Sequence, residues 1–199
     1  MGWFDEPLPA GFRYEDSFLT PDEAAALATH IAGLTFANFE MRGVVARRRV
    51  AFFGETYDEG RPASPWPDFL AALRDRVAVW AGLAPAAFVM ALVNEYRPGA
   101  PIGWHRDAPQ YGVICGISLL SPCRMRLRPY VAPRDQAAGG PRRTASHELV
   151  LEPRSIYQIA GEARSAFEHS IPAVDALRYS ITFRTVSYTH LTLPTNREV

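Results

Sequence analysis

In the stretch NEYRPGAPIGWHRDAPQYG, residues 94–112, His105 and Asp107 stand one residue apart. On an extended strand, side chains two positions apart project from one face, so an imidazole nitrogen and a carboxylate oxygen can converge on one point. That spacing suits a divalent metal ion, and a third ligand has to come from elsewhere in the chain. His30 falls in an amphipathic N-terminal helix, His147 follows a polar loop, and His169 sits in FEHSIP, a short strand signal late in the chain. A strand on the opposite edge of a barrel would deliver His169 to the same mouth, which makes it the expected third ligand.

Two imidazoles and one carboxylate on a face leave three positions of an octahedral ion open, the donor set of non-heme iron(II) oxygenases. A zinc hydrolase would use similar ligands with one open position. The segment LRYSITFRTV, residues 177–186, narrows the choice. Arg178, Ser180, Thr182 and Arg184 fall on one strand face and Leu177, Tyr179, Ile181 and Phe183 on the other. Two guanidiniums on an inner strand face are costly without anions to meet them. A small dicarboxylate held by bidentate arginine contacts would satisfy both.

The elements that must position these groups are legible in outline. LTPDEAAALATHIAGL, residues 19–34, has Thr20 as N-cap, Pro21 at the first helical position and acids in the first turn. SPWPDFLAALRDRVAVWAGL, residues 64–83, places Phe69, Leu70, Leu73, Val77 and Trp80 at helical spacing and predicts a second helix. From residue 86 onward come short strand-like runs punctuated by Pro and Gly, the pattern of a sandwich or barrel and not of alternating β and α units. In CRMRLRPY the arginines 124, 126 and 128 alternate with Met125 and Leu127, a strand with one wet face. Residues 132–146 read as a loop.

The 199 residues, 48% hydrophobic, suffice for one domain with a real core. All 21 basic residues are arginine and they balance 21 acids, so no general attraction to nucleic acid or to an anionic membrane is encoded. Cys115 and Cys123 form no Cys-x-x-Cys pair and read as buried small residues. With no apolar run of about 18 residues and no signal peptide, a reducing cytoplasm is the expected location. The last thirteen residues, SYTHLTLPTNREV, lose the Ala and Arg bias and resemble appended adapter sequence, so residues 1–186 are read as the domain and 187–199 as a non-native tail.

Taken together, NEYRPGAPIGWHRD, a distal His and RYSITFR resemble the AlkB family of Fe(II)- and 2-oxoglutarate-dependent dioxygenases over residues 88–186. RRRVAFFG is similar to part of that family's nucleotide-recognition region. The resemblance implies a mainly β fold with N-terminal helices, the double-stranded β-helix or jelly roll. It implies Fe(II) on His105, Asp107 and His169, with 2-oxoglutarate and O2 as cosubstrates. Arg178 would take the distal carboxylate of 2-oxoglutarate and Arg184 would lie near its metal-bound end. Asn94 and Tyr96 would hydrogen-bond it, and Ser180 would assist.

The implied activity is oxidative demethylation of N-alkylated bases in DNA or RNA, single-stranded or with the base flipped out, by a monomer that needs no membrane. DNA repair is the expected setting. Phe52, Phe53, Tyr57 and Trp104 are the aromatics that the sequence places nearest the inferred site, candidates to stack on a base, with a place in the core as the alternative for each. Phe52 and Phe53 alternate on a strand, so only one of them can do so. Arg47, Arg48 and Arg49 could position phosphates. After Asp107 the chain reads Ala108-Pro109-Gln110, where nucleic-acid members of the family often carry an acid that contacts the base, and Gln110 is the polar substitute. The same oxygenase chemistry on RNA, protein or a small molecule, and a barrel that only binds, are the alternatives.

Overall fold

The computed structural model describes residues 7–41, 44–55, 64–132 and 147–187. Tyr57, most of the 132–146 loop and all but the first residue of the 187–199 tail lie outside the described residues. The elements run β1 (Phe12–Glu15), α1 (Pro21–Ala32), β2 (Ala37–Met41), β3 (Val44–Gly54), α2 (Asp68–Ala81), β4 (Phe88–Tyr96), β5 (Ile102–His105), β6 (Tyr111–Leu119), β7 (Cys123–Pro129), β8 (His147–Leu151), β9 (Ile156–Ile159), α3 (Gly161–Ser165), β10 (Phe167–Ile171) and β11 (Arg178–Val186). The helix expected over 19–34 starts where its cap says: the Thr20 side chain accepts from the Glu23 amide and Glu23 accepts from the Thr20 amide, a reciprocal capping box.

Two antiparallel sheets make a jelly roll. A seven-stranded sheet has the order β1-β9-β6-β11-β4-β3-β2 and a four-stranded sheet the order β5-β10-β7-β8. The large sheet is covered on one side by α1 and α2, so its central strands must be apolar on that face. Phe88, Val93, Ile117, Tyr179, Ile181 and Phe183 meet Leu27, Ile31, Leu70 and Val77 there. The opposite face looks across at the small sheet, where Tyr96, Met125, Leu127, Tyr157 and Ile171 form a second core. That core is incomplete at one end, and the gap between the sheets is the site.

One glycine is required by the packing between sheets. Gly116 pairs with Tyr157 across β6 and β9, and a Cβ there would collide with the phenol ring. Gly116→Ala should therefore cost about 1–3 kcal/mol by overpacking, read as a lowered thermal midpoint.

Candidate metal centre

β5 and β10 are neighbours in the small sheet, and their register sets His105 directly against His169. The two rings lie 4.3 Å apart between centroids, and both side chains face inward with Leu127, the partner of His169 on β7. His105 donates from Nδ1 to the Gly103 carbonyl at 2.9 Å, which leaves Nε2 free to ligate. The ligating atoms of His105, Asp107 and His169 all lie within 4.8 Å of one another.

Asp107 reaches this point by a route that strand alternation does not explain. β5 ends at His105, so Asp107 sits in the following loop. Its orientation is imposed from outside. Arg184 on β11 donates from Nη2 to Oδ1 at 2.8 Å. Arg164, on the short helix α3, donates to the Asp107 carbonyl at 3.0 Å and also to the carbonyl of Ala108. Arg164 had no signal in the sequence, because the five-residue GEARS segment has no periodicity to read.

Burial works to raise the Asp107 carboxyl, but Arg184, the two histidines and Arg164 outweigh it and hold the group well below its usual range. His169 is pushed down to about 4, by burial first and then by His105. With His169 neutral, its 3.6 Å approach to Asp107 Oδ2 is a convergence of ligand atoms and not an ion pair. A neutral imidazole and an ionised carboxylate are the forms a metal needs.

The same shift fixes a pH dependence. The unfolded imidazole titrates near 6.5, so between that value and about 4 the unfolded chain binds the extra proton and stability falls as pH falls. Chelator-treated protein should lose up to about 3 kcal/mol across that window, and His169→Gln should flatten the slope of the urea midpoint against pH.

The cavity between the sheets has a volume of about 500 Å³. Along β11, Arg178, Ser180, Thr182 and Arg184 line it while Tyr179, Ile181 and Phe183 lie in the helix-side core, the division expected from alternation. Asn94 and Tyr96 of β4 line it beside them. Arg178 is 0% exposed. Its Nε donates to Ser118 Oγ at 3.1 Å and its guanidinium lies over the Tyr96 ring at 4.9 Å. Nη1 and Nη2 are buried and make no hydrogen bond among the described residues. A buried guanidinium with two unpaired nitrogens on one edge fits a carboxylate group in bidentate contact. Asn94 donates to Ser180 Oγ at 3.3 Å and accepts from Arg48 Nε at 3.2 Å, so its amide is spoken for on both sides.

The residues expected to meet a substrate divide sharply. Arg48, Phe52 and Gln110 line the cavity. Arg49 and Phe53 point to the other side of β3. Arg49 forms a two-point ion pair with Glu95, with bonds of 2.8 and 2.9 Å, and Phe53 packs in the helix-side core. Arg47 is exposed, with Nη1 3.4 Å from the Gly99 carbonyl. Trp104 precedes His105 and so faces outward, where Arg126 and Arg128 stack on it at 5.3 and 4.0 Å. Alternation about Arg48 and His105 excludes these four from the cavity. The other histidines considered as ligands are elsewhere: His30 stacks on Phe69 and His147 lies against Phe167. Phe39, Tyr111 and Thr182 line the cavity without having been singled out as substrate or metal contacts.

The 2OG-Fe(II) oxygenase superfamily matches residues 16–184 of the chain. The chain is 27% identical over 188 residues to the alkylated DNA repair protein ALKBH8 homolog of Arabidopsis thaliana, an alignment covering 83% of the chain and 51% of that relative. It thus spans about half the length of the curated relative it matches. Among solved structures, OsALKBH1 superposes with a TM-score of 0.67 at 14% identity, over 90% of this chain and all of that one. A Pseudomonas putida prolyl-4-hydroxylase gives 0.57 at 15% identity, over 89% and 93% of the two chains. At those identities the two structures speak for the jelly-roll fold alone.

Proposed function

The chain belongs to the 2OG-Fe(II) oxygenase superfamily and is a 2-oxoglutarate-dependent dioxygenase of the AlkB type; from that premise we propose that it oxidatively dealkylates N-alkylated bases in nucleic acid, with DNA repair as the setting. The observation that carries this reading is the convergence in one cavity of the His105, Asp107 and His169 donor set with the buried guanidinium of Arg178, two of whose three nitrogens make no hydrogen bond among the described residues.

His105, Asp107 and His169 would hold Fe(II), and Arg178 would take the distal carboxylate of 2-oxoglutarate, with Tyr96 beneath it as a shelf. Arg184 holds Asp107 and lies at the metal-proximal end, while Asn94 and Ser180 form the wall between. When bound, iron with 2-oxoglutarate and O2 would supply the oxidation that converts an N-methyl group to a hydroxymethyl group, lost as formaldehyde to leave the N–H base, with succinate and CO2 as the coproducts. The protein's share is orientation and the exclusion of water. Phe39, Phe52 and Tyr111 line the cavity and would flank an extruded base, with Arg48 over the Phe39 ring and Arg184 over that of Tyr111. The reading includes action as a monomer on single-stranded or flipped bases. Two free, buried cysteines fit a reducing cytoplasm, and no helix among the described residues is long and apolar enough to cross a membrane.

Methylated single- and double-stranded DNA and RNA oligonucleotides, incubated with Fe(II) and 2-oxoglutarate and weighed by mass spectrometry, test this reading. Loss of one CH2 from DNA supports repair. Loss from RNA alone moves the substrate to RNA, and no loss from any oligonucleotide removes the nucleic-acid reading.

A further inference from the structure

The charges in the cavity do not match a positively charged base. Arg178 is fully buried, and in the proposed reading its two Nη groups are reserved for the cosubstrate carboxylate, while Arg184 is already committed to Asp107. Arg106, at the rim, is turned to the Ser165 carbonyl and the Tyr130 ring. Arg48 is different. It is half-buried, lies over the Phe39 ring at 4.4 Å, and spends only its Nε, on Asn94. Its Nη1 and Nη2 make no hydrogen bond among the described residues, and the side chain lines the cavity beside Phe52. Arg184 and Asp107, the other charged groups on this part of the lining, already hold each other at 2.8 Å. The segment after Asp107, Ala108-Pro109-Gln110, brings no carboxylate inside, and the remaining acid on the lining, Glu40, is exposed at the rim.

We propose that Arg48 is a specificity-determining residue that reads the alkylated base itself, and that the base it admits is uncharged and presents a carbonyl oxygen to the guanidinium. This rests on the nucleic-acid reading above. N3-methylthymine, N3-methyluracil and N1-methylguanine have that chemistry. N1-methyladenine and N3-methylcytosine carry a positive charge at neutral pH and would bring it against a fixed cation in a poorly screened site. A guanidinium braced on one edge by Asn94 and on one face by Phe39 loses little freedom when its other edge donates to an oxygen. The brace also ties base reading to the cosubstrate wall, since Asn94 in turn donates to Ser180.

The test compares kcat/KM on single-stranded oligonucleotides carrying one uncharged or one cationic methylated base, with succinate measured alongside. Wild type should prefer the uncharged bases by about tenfold or more. Arg48→Lys should keep the preference, Arg48→Gln should reduce it and Arg48→Glu should invert it. Because the readout is a ratio within one variant, a general loss of activity does not imitate the effect. A wild-type preference for cationic bases, or a ratio that Arg48→Glu leaves unchanged, overturns the inference while leaving the nucleic-acid reading standing. Succinate formation without turnover of any base removes that reading, and this inference falls with it.

Discussion

Replacing Asp107 with alanine is expected to abolish metal-dependent succinate formation, a loss of at least about a thousandfold, equivalent to roughly 4 kcal/mol of activation free energy. The size follows from what the carboxylate does twice over. It is the anionic member of the donor set, and it neutralises Arg184, which donates to it at 2.8 Å. Without it, two neutral imidazoles must hold a dication beside an uncompensated guanidinium. Asp107→Asn keeps the shape and removes the charge, so it should lose nearly as much. Calorimetric titration with Mn(II) should show the metal affinity collapsing in both variants, with the circular dichroism spectrum intact. A barrel that only binds would be indifferent, so wild-type turnover in Asp107→Ala would remove the catalytic assignment of this centre.

Arg178→Met separates cosubstrate binding from folding. In the wild type a fully buried guanidinium makes, among the described residues, one hydrogen bond, to Ser118, and leaves two nitrogens unpaired there. Burying a charge without compensation costs several kcal/mol, so without cosubstrate the Met variant should be at least as stable as the wild type. With cosubstrate the order reverses. The bidentate contact is lost and KM for 2-oxoglutarate should rise by at least about a hundredfold, the equivalent of roughly 3 kcal/mol for a truncated charge-assisted pair. Thermal midpoints measured with and without 2-oxoglutarate in Mn(II) give both halves of the result. Wild type should shift upward with ligand and Arg178→Met should not. A Met variant that is strongly destabilised yet still shifted by 2-oxoglutarate would place the anion elsewhere.

Both predictions start from residues that the sequence already marked, and the reason is periodicity. β11 is buried on both faces, against helices on one side and the cavity on the other, so its alternation of apolar residues with Arg178, Ser180, Thr182 and Arg184 survives in the fold. Thr20 and Glu23 announce α1 because a capping box is a local interaction. His105 and His169 were separable from the other histidines by their strand-like surroundings, and the β5·β10 register then sets them opposite each other.

What local pattern could not supply was the choice of face and the help that arrives from distant elements. The run Arg47-Arg48-Arg49 reads as one basic cluster, yet pairing of β3 with β4 sends Arg48 to Asn94 in the cavity and Arg49 to Glu95 on the opposite side. The same parity takes Phe53 to the core and Phe52 to the mouth, and turns Trp104 outward beneath Arg128. Asp107 lies past the end of its strand, so Arg184 and Arg164, 77 and 57 residues away, fix its direction. The sequence by itself determined the strand-rich architecture, the helix start and the identity of the chemical groups, because those depend on neighbours along the chain. The tertiary structure alone decided which arginine of β3 faces the cavity, which guanidinium is buried with two nitrogens unpaired among the described residues and which holds the carboxylate, because burial and charge pairing are properties of contacts between strands.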